Sequence, residues 1–258
     1  MFDALFTTTT EYKKLSHALS GKGACALFGL PASGRAQVYA ALCRQLDKPL
    51  CIVTPGEAEA TRFAADLNTL GIPAAVFPAR DYVLRPIEGT AREYEYRRLA
   101  VLGELVGGRL RAVAVPAEAL TQFTTPKEDF CANTRTLHAG DTLLRDDLLA
   151  ALFGAGYTRR AQVDGPGQFS VRGDIVDIFA PDQKMPVRME FWGDEIDTLH
   201  TFDLTTQRRE DAIDKFYLSP AREVLFGKPA DAAEQLRAFL AKQRGKKKTA
   251  MKSEAKRS

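Results

Sequence analysis

The sequence predicts a protein of the α/β class, in which a parallel-sheet domain is followed by a smaller α+β domain whose sheet is mainly antiparallel. Three observations predict this fold class. Short apolar runs alternate with helix-length segments through about residue 132, a pattern typical of a parallel sheet covered by helices. Strand-like segments then follow one another between residues 165 and 202. Finally, 258 residues with 45% apolar content are enough to bury a large core.

The first part contains four apolar runs that predict strands, at residues 24–30, 50–54, 75–77 and 112–115. Helical spacing of apolar residues predicts helices at residues 33–45, 56–70 and 91–106. Gly71 and the pair Gly107–Gly108 end two of these helices, because glycine readily takes the left-handed conformation that closes a helix. Residues 80–90 are predicted to form a loop.

The second part begins with a predicted strand at residues 134–138, a helix at 145–153 and a strand at 157–163. The stretch 165–202 is then predicted to hold three strands, at residues 169–179, 187–192 and 196–202. Between the last two strands, Gly193–Asp194 suits a two-residue type II′ turn. After residue 218 an extended piece leads to a predicted helix at residues 230–243.

The strand at residues 187–192 alternates, so that Arg188 and Trp192 share the face opposite the apolar residues. Arg172 has the opposite parity to Val171 and Ile175, which predicts that it also points away from the core. A tryptophan flanked by arginines on a solvated sheet face is the composition of an interface hot spot. The pattern alone leaves a second interpretation open, in which Trp192 covers a loop and the arginines are ordinary solvated charges.

The charge of the chain is unevenly distributed. Residues 242–257 contain eight Lys and Arg and a single acid, so this tail has a net charge of +7. Because the whole chain has a net charge of +3, the rest of the chain has a net charge of −4. The tail is predicted to be disordered, with weak contact to DNA as the alternative to a solvated tail. The mildly acidic body does not favour a broad nucleic-acid surface.

The cysteines have no C-x-x-C spacing and the histidines are scattered, so no metal site is predicted. The amino-terminal residues lack the pattern of a signal peptide. Apolar runs also stay short of the roughly 18 residues that a membrane span needs. We therefore expect a cytoplasmic setting.

Residues 29–36, GLPASGRA, follow a predicted strand and open a helix, which is the context of the phosphate-binding loop G-x-x-x-x-G-K-[ST]. Gly29 and Gly34 stand at the two glycine positions, but Arg35 and Ala36 replace the lysine and the hydroxyl residue. The lysine binds the β- and γ-phosphates and the hydroxyl binds Mg²⁺, so these two changes predict a vestigial loop that no longer supports hydrolysis. The match is weak by itself, since a Gly- and Ala-rich βα turn can arise by chance.

Three longer motifs carry a more specific resemblance: FSVRGDIVDIF, PVRMEFWGDEID and FDLTTQRR. Together they resemble the second domain that bacterial transcription-repair coupling factors share with the excision-repair helicase subunit UvrB. The resemblance extends to PARDYVLRPIEG, EYEYRRLAVLGEL and LSPAREVLF and covers about residues 5–240. The altered phosphate loop and the short segment at residues 80–90 favour the coupling factor, whose amino-terminal module is a degenerate copy of UvrB. A UvrB-type helicase or ATPase lobe is the alternative.

The resemblance implies a division into three parts. Residues 1–132 form a degenerate nucleotide-hydrolase-like (P-loop-like, degenerate helicase) domain, residues 133–217 a domain that docks onto the damage sensor UvrA, and residues 218–258 the start of a segment returning to the first domain, with the basic tail at its end. It also implies that Arg172, Arg188 and Trp192 bind UvrA, although the aromatic residue of the family motif is commonly Phe.

The same resemblance implies an adaptor for transcription-coupled nucleotide-excision repair that has no catalysis or cofactor of its own. The family's ATP- and Mg-dependent DNA translocase motor, and the domains that contact RNA polymerase and DNA, would lie outside these 258 residues.

Overall fold

The structure of the protein is a computed structural model that describes residues 7–21, 24–46, 48–80, 91–225 and 237. Its helices are α1 (Thr10–Ser20), α2 (Ala32–Gln45), α3 (Glu57–Thr69), α4 (Ala91–Val106), α5 (Ala117–Leu120), α6 (Lys127–Ala132) and α7 (Arg145–Gly154). Its strands are β1 (Leu50–Thr54), β2 (Ala74–Val76), β3 (Ala112–Pro116), β4 (Arg135–His138), β5 (Thr158–Arg159), β6 (Gln168–Arg172), β7 (Ile175–Phe179), β8 (Val187–Trp192), β9 (Glu195–Phe202), β10 (Arg209–Ala212) and β11 (Lys215–Leu218).

The first part of the chain contains a parallel sheet with the strand order β1-β3-β2. The central strand β3 is buried throughout. Its residues alternate between two cores: Ala112 and Ala114 pack with residues of α2 and α3, while Val113 and Val115 pack with residues of α4. Helices therefore cover both faces of the sheet, as the alternation of strands and helices predicted.

Helix α3 illustrates how the sequence sets these elements. Ala60, Phe63, Ala64 and Leu67 are buried at helical spacing. Gly71 follows the C-cap residue Leu70 and has a φ of +74°, and the amide of Ile72 donates to the carbonyl of Leu67 at 2.9 Å. This is the left-handed helix end that the glycine predicted.

The second part contains a six-stranded sheet with the order β10-β9-β8-β7-β6-β5, in which only the β5–β6 pair is parallel. A two-stranded antiparallel sheet, β11-β4, lies in the same core. That core contains buried residues from β4, α7, β6 to β9 and β11, including Leu148, Phe169, Ile178 and Met189. One face of the large sheet is thereby buried. The opposite face is covered in part, because Phe179 and Phe202 are buried on it in a separate small cluster with Val163.

The prediction of one strand over residues 169–179 is wrong. The chain turns at Gly173–Asp174, so that β6 and β7 form a hairpin in which Arg172 lies opposite Ile175. Gly173 has a φ of +61° and Gly193, in the predicted β8–β9 turn, has a φ of +63°. Both turns are Gly-Asp pairs, and both use glycine for the positive φ that a primed hairpin turn requires.

The run at residues 24–30 was predicted as a strand, and this too is wrong. These residues form no strand in the structure, and Leu27 and Phe28 are 46% and 89% exposed. Apolar composition alone does not make a strand, because a strand also needs a neighbouring strand for its backbone hydrogen bonds. The predicted strand at residues 157–163 is also shorter, reduced to β5.

The predicted helix at residues 230–243 and the basic tail at residues 242–257 lie outside the described residues, apart from the single exposed residue Arg237. The predicted loop at residues 80–90 lies outside them as well, except for Arg80.

A buried ionic cluster, which we call the Glu223 cluster, joins the end of the second part to the first. Glu223 follows β11, and its carboxylate accepts hydrogen bonds from the Nε of Arg98 on α4 at 2.8 Å and from its Nη2 at 2.8 Å. Arg80 donates through its Nε to the same carboxylate at 3.0 Å, and Thr124 donates as well. The side chains of Arg98 and Glu223 are both fully buried. This cluster anchors the returning segment on the first part of the chain.

Candidate functional site

The candidate site is the outer face of the six-stranded sheet, which is the face of β6 to β9 that points away from the core. Register places its residues in rows across the strands. The inner row is Ser170, Asp177, Arg188 and His200, and the row nearer the two Gly-Asp turns is Arg172, Ile175, Glu190 and Thr198. Because cross-strand partners share a face, Arg172 and Ile175 both lie outward, contrary to the predicted opposite parity. Arg172 itself still points away from the core.

Asp177 lies at the centre of this face. Its side chain is 1% exposed and accepts from two arginines. The Nε of Arg188 donates to Oδ1 at 2.7 Å and its Nη2 donates to Oδ2 at 3.0 Å, a bidentate pair. The Nη2 of Arg172 donates to Oδ2 at 2.6 Å. A carboxylate buried to this extent needs such partners, because an unpaired buried charge is strongly unfavourable.

Arg188 is held on all sides. Its remaining terminal nitrogen, Nη1, donates to the carbonyl of Gln207 at 3.2 Å, and its guanidinium lies over the ring of Phe202 at 4.7 Å from the centroid. Its side chain is 11% exposed. The planar fork of an arginine suits this combination of paired hydrogen bonds and stacking. Arg188 therefore makes its hydrogen bonds within the chain and exposes little of its side chain to solvent.

Arg172 differs from Arg188, although both contact the same carboxylate. Its side chain is 47% exposed, and within the described residues its guanidinium makes one hydrogen bond, the one to Asp177. Arginine carries five N–H donors. Arg172 therefore keeps donors available to a second carboxylate.

Trp192 is the most exposed aromatic residue of the outer face, at 82%. It ends β8, opposite Glu195 and next to the turn at Gly193–Asp194. The amide of the preceding residue, Phe191, donates to the carbonyl of Asp174 in the other Gly-Asp turn at 2.8 Å. Trp192 and Arg172 thus lie at the same end of the sheet.

Two further residues of this face were missed from the sequence. Asp177 is one, and it left a signal: an acid in the middle of the apolar strand IVDIF must find a charged partner if that strand is buried. Arg209 is the other, since its guanidinium pairs with the carboxylate of Glu190. Arg209 comes from β10, seven residues beyond β9, and nothing in the local pattern predicts that pair.

The residues of the vestigial loop are arranged differently from those of a phosphate-binding loop. Gly29 has a φ of +77°, but α2 already begins at Ala32, so Gly34 lies inside the helix. Arg35 pairs with Glu59 of α3 at 3.8 Å and lies over the ring of Phe63 at 5.8 Å, while Ala36 is buried. The cation is therefore turned towards α3. Gly29, Gly34, Arg35 and Ala36 lie on the first part of the chain and do not join the outer-face residues.

Within the ranges that the structure describes, no helix is long and apolar enough to cross a membrane. In the same ranges, the His, Cys, Asp and Glu side chains form no group that could hold a metal ion.

Comparison with known proteins assigns the second part of the chain. Residues 136–224 match the family described as the UvrB interaction domain. The chain is similar to curated transcription-repair-coupling factors: 35% identical over 208 residues in Myxococcus xanthus, 38% over 192 residues in Mycobacterium bovis and 28% over 212 residues in Bacillus subtilis. These matches cover 76%, 71% and 81% of this chain, respectively.

The chain is a relative of the transcription-repair coupling factors. The resemblance predicted from the three motifs, to the UvrB-like amino-terminal module of this family, is confirmed. The matches cover 17%, 15% and 18% of the three relatives, in the order given. The chain thus spans less than a fifth of their length. Residues 136–224 are called the interaction domain below, and they contain the whole outer face.

Proposed function

We propose that this chain is the UvrA-docking adaptor module of a transcription-repair coupling factor, which recruits the damage sensor UvrA to a stalled RNA polymerase. In this proposal residues 133–217 form the docking domain and residues 1–132 a degenerate nucleotide-hydrolase-like domain. Residues 218–258 begin the return to the first domain and end in the basic tail. The match of residues 136–224 to the UvrB interaction domain supports this assignment.

One observation carries the proposal: Trp192 is 82% exposed on the outer face, at the same end of the sheet as the half-exposed Arg172. A single exposed apolar side chain is common on a protein surface, so Trp192 supports an interface only in combination with Arg172. Aromatic and arginine side chains are also the residues that dominate binding energy at the centre of protein interfaces. The alternative, in which Trp192 covers a loop and the arginines are solvated charges, is disfavoured because a ring that covers a loop would be less exposed than 82%.

The chemistry of docking follows from the two exposed side chains. Trp192 supplies apolar area that becomes desolvated, and Arg172 supplies charge-assisted hydrogen bonds to a carboxylate on UvrA. Arg188 belongs to the same site because it donates to Asp177, which also accepts a hydrogen bond from Arg172. The fork of an arginine fixes direction as well as charge, so this pair of residues sets the orientation of the partner.

In this proposal the chain itself carries out no catalysis and binds no cofactor. ATP-driven translocation with Mg²⁺, displacement of RNA polymerase and the main DNA contacts belong to the parts of a coupling factor beyond these residues. A UvrB-type ATPase lobe, the other candidate, needs a lysine free to contact phosphates. Here Arg35 and Ala36 stand where the lysine and the hydroxyl residue would be, and this favours the adaptor.

Titration calorimetry of the chain with purified UvrA tests the proposal. We expect the wild type to bind and the double variant Arg172→Ala, Trp192→Ala to lose about 2 kcal/mol or more of binding free energy. Arg160→Ala is the matched control, because Arg160 is an exposed arginine of the same domain that lies outside the strands. Its binding should stay within about 0.5 kcal/mol of the wild type.

If the double variant binds UvrA as tightly as the control does, the outer face is not the docking site. If the folded wild type does not bind UvrA, the adaptor proposal fails. Micromolar affinity for ATP with Mg²⁺ would favour the ATPase lobe instead, and fluorescence titration with a nucleotide analogue measures it. A steeply salt-dependent DNA affinity that disappears on deletion of residues 245–258 would assign DNA contact to the tail.

A further inference from the structure

We propose that Asp177 is the positioning residue of the outer face: it fixes both arginines before docking and leaves Arg172 as the arginine that meets a carboxylate of the partner. This inference rests on the proposed function, because it divides roles within the same face. It assigns Arg188 to support and Arg172 to recognition, although the sequence motif treats the two alike.

The first step is that Arg188 has few donors left for a partner. Two of its nitrogens bind Asp177 and the third binds the carbonyl of Gln207. The ring of Phe202 covers one face of the guanidinium. Three of its five N–H donors are therefore used, and its side chain is only 11% exposed, so Arg188 offers much less to a partner carboxylate than Arg172 does.

The second step concerns charge. Two guanidinium groups share one carboxylate in this cluster, so it keeps one net positive charge. That charge lies towards solvent, since the side chain of Arg172 is 47% exposed and that of Arg188 only 11%. The cluster is therefore complementary to a single carboxylate, placed beside an apolar surface that receives Trp192. The partly buried Ile175, between Arg172 and Glu190 in its row, extends the apolar part.

The third step concerns order. An arginine free in solution loses much of its rotamer freedom when it binds. The hydrogen bond to Asp177 already restrains Arg172 at one nitrogen while its other donors stay available. Docking onto a restrained side chain loses less entropy than docking onto a mobile one. Asp177 thus strengthens binding even though its own negative charge opposes an acidic partner.

These opposite contributions make Asp177→Asn a decisive variant. It removes a negative charge from the face, so long-range attraction to an acidic partner should increase and the association rate should rise or stay unchanged. It also weakens the hold on both arginines, so the complex should dissociate about tenfold faster. Surface plasmon resonance with immobilised UvrA measures the two rates separately. Lost folding alone would lower the active fraction of the sample and leave the dissociation rate of the folded fraction unchanged.

Asp164→Asn is the matched control. Asp164 is exposed and precedes β6, at the end of the sheet away from Trp192 and the two Gly-Asp turns, and no ion pair joins it to an arginine within the described residues. The substitution makes the same change in charge. We expect a slightly faster association and an unchanged dissociation rate. If Asp177→Asn behaves like this control, with dissociation within twofold of the wild type, the positioning role is wrong.

A measurement without the partner separates this inference from the proposed function. In nuclear magnetic resonance spectra of the free chain, the Nε–H of Arg188 should be protected from exchange with water, because it donates to the buried Oδ1 of Asp177. Asp177→Ala, which has no side-chain acceptor, should remove this protection, and Asp164→Asn should not. Protection that survives in Asp177→Ala overturns the positioning role. Loss of protection in a chain that does not bind UvrA supports the positioning and rejects the docking proposal alone.

Discussion

Two clusters of this molecule share one composition, a buried carboxylate held by two arginines, yet they differ in what they leave open. In the Glu223 cluster, Arg98 and Glu223 have fully buried side chains, and Arg80 is 25% exposed. In the Asp177 cluster, the carboxylate is equally buried but Arg172 is 47% exposed. We call the Glu223 cluster closed, because its side chains are mostly buried, and the Asp177 cluster open, because Arg172 is about half exposed to solvent.

The difference separates structural from recognition roles in residues of identical type. Arg98 also donates to the carbonyl of Pro78 at 2.7 Å and lies over the ring of Phe77 at 4.0 Å, so its hydrogen-bonding capacity is used within the chain. Arg188 resembles Arg98 in this respect. Arg172 is the exception among these arginines. Exposure and free donors, rather than residue type, therefore mark the arginine suited to a partner.

The largest effect is expected at the closed cluster. Glu223→Ala leaves Arg98 buried without its carboxylate, and removal of one partner of a buried ion pair costs about 3–5 kcal/mol of stability. Chemical denaturation followed by circular dichroism measures the loss. Glu210→Ala, at an exposed position of β10, should cost less than about 0.5 kcal/mol. Equal losses for the two variants would mean that the Glu223 cluster does not anchor the returning segment.

The next effect distinguishes the two arginines of the open cluster. Arg188→Ala leaves the buried Asp177 with one partner, so we expect a loss of about 2–3 kcal/mol in unfolding free energy. Arg172→Ala removes a side chain that is half in solvent and should change stability by less than about 1 kcal/mol. Denaturation of the two variants side by side measures the contrast. Similar stabilities would contradict the division between support and recognition.

A smaller effect is expected for the aromatic residue, and only in binding. Trp192→Ala should weaken binding to UvrA by about 1–2 kcal/mol, without lowering the unfolding free energy, because Trp192 is 82% exposed. Trp192→Phe keeps an aromatic ring and should retain most of the affinity. Calorimetry of both variants, with denaturation as the control for folding, measures this. A loss of stability in Trp192→Ala would indicate that the ring packs within the chain.

The contrast between the clusters also explains what the sequence could predict. Helix α4 was predicted with its observed bounds, because its ends and its periodicity are local. The hairpin at Gly173–Asp174 was missed, although the same Gly-Asp pair was recognised at Gly193–Asp194, since the first turn is flanked by β-branched residues that resemble one continuous strand.

The partners of the buried charged residues could not be predicted from the local sequence pattern. Arg98 and Glu223 are 125 residues apart in the chain, and no periodicity relates them. Asp177 and Arg188 are 11 residues apart and are aligned by register across β7 and β8. That pair was predictable in principle once the acid inside an apolar strand was noticed, because the alternation of residues on β7 and β8 places both on one face.

The smallest effect expected is on the pH dependence of stability, where two carboxyl groups act with opposite sign. Burial by itself raises the pKa of Glu223, but hydrogen bonds from Arg98 and Thr124 and the charge of Arg98 outweigh it, so its pKa is lowered. Its stabilising contribution is therefore complete above the ordinary carboxyl pKa of 4.5 and is lost as the pH falls through the lower pKa of the folded state.

Asp182, in the loop between β7 and β8, has the reverse linkage because burial raises its pKa, although a hydrogen bond from Ser219 opposes this. Its carboxylate destabilises the fold at neutral pH, and that penalty disappears as the pH falls through the raised pKa. Asp182→Asn should thus stabilise the chain slightly at pH 7 and not at pH 3. Glu223→Ala should flatten the loss of stability on the acid side. Denaturation at several pH values measures both slopes. A steeper acid loss in Glu223→Ala than in the wild type would contradict the lowered pKa, because the closed cluster loses stability on acidification only through the carboxylate that the variant lacks.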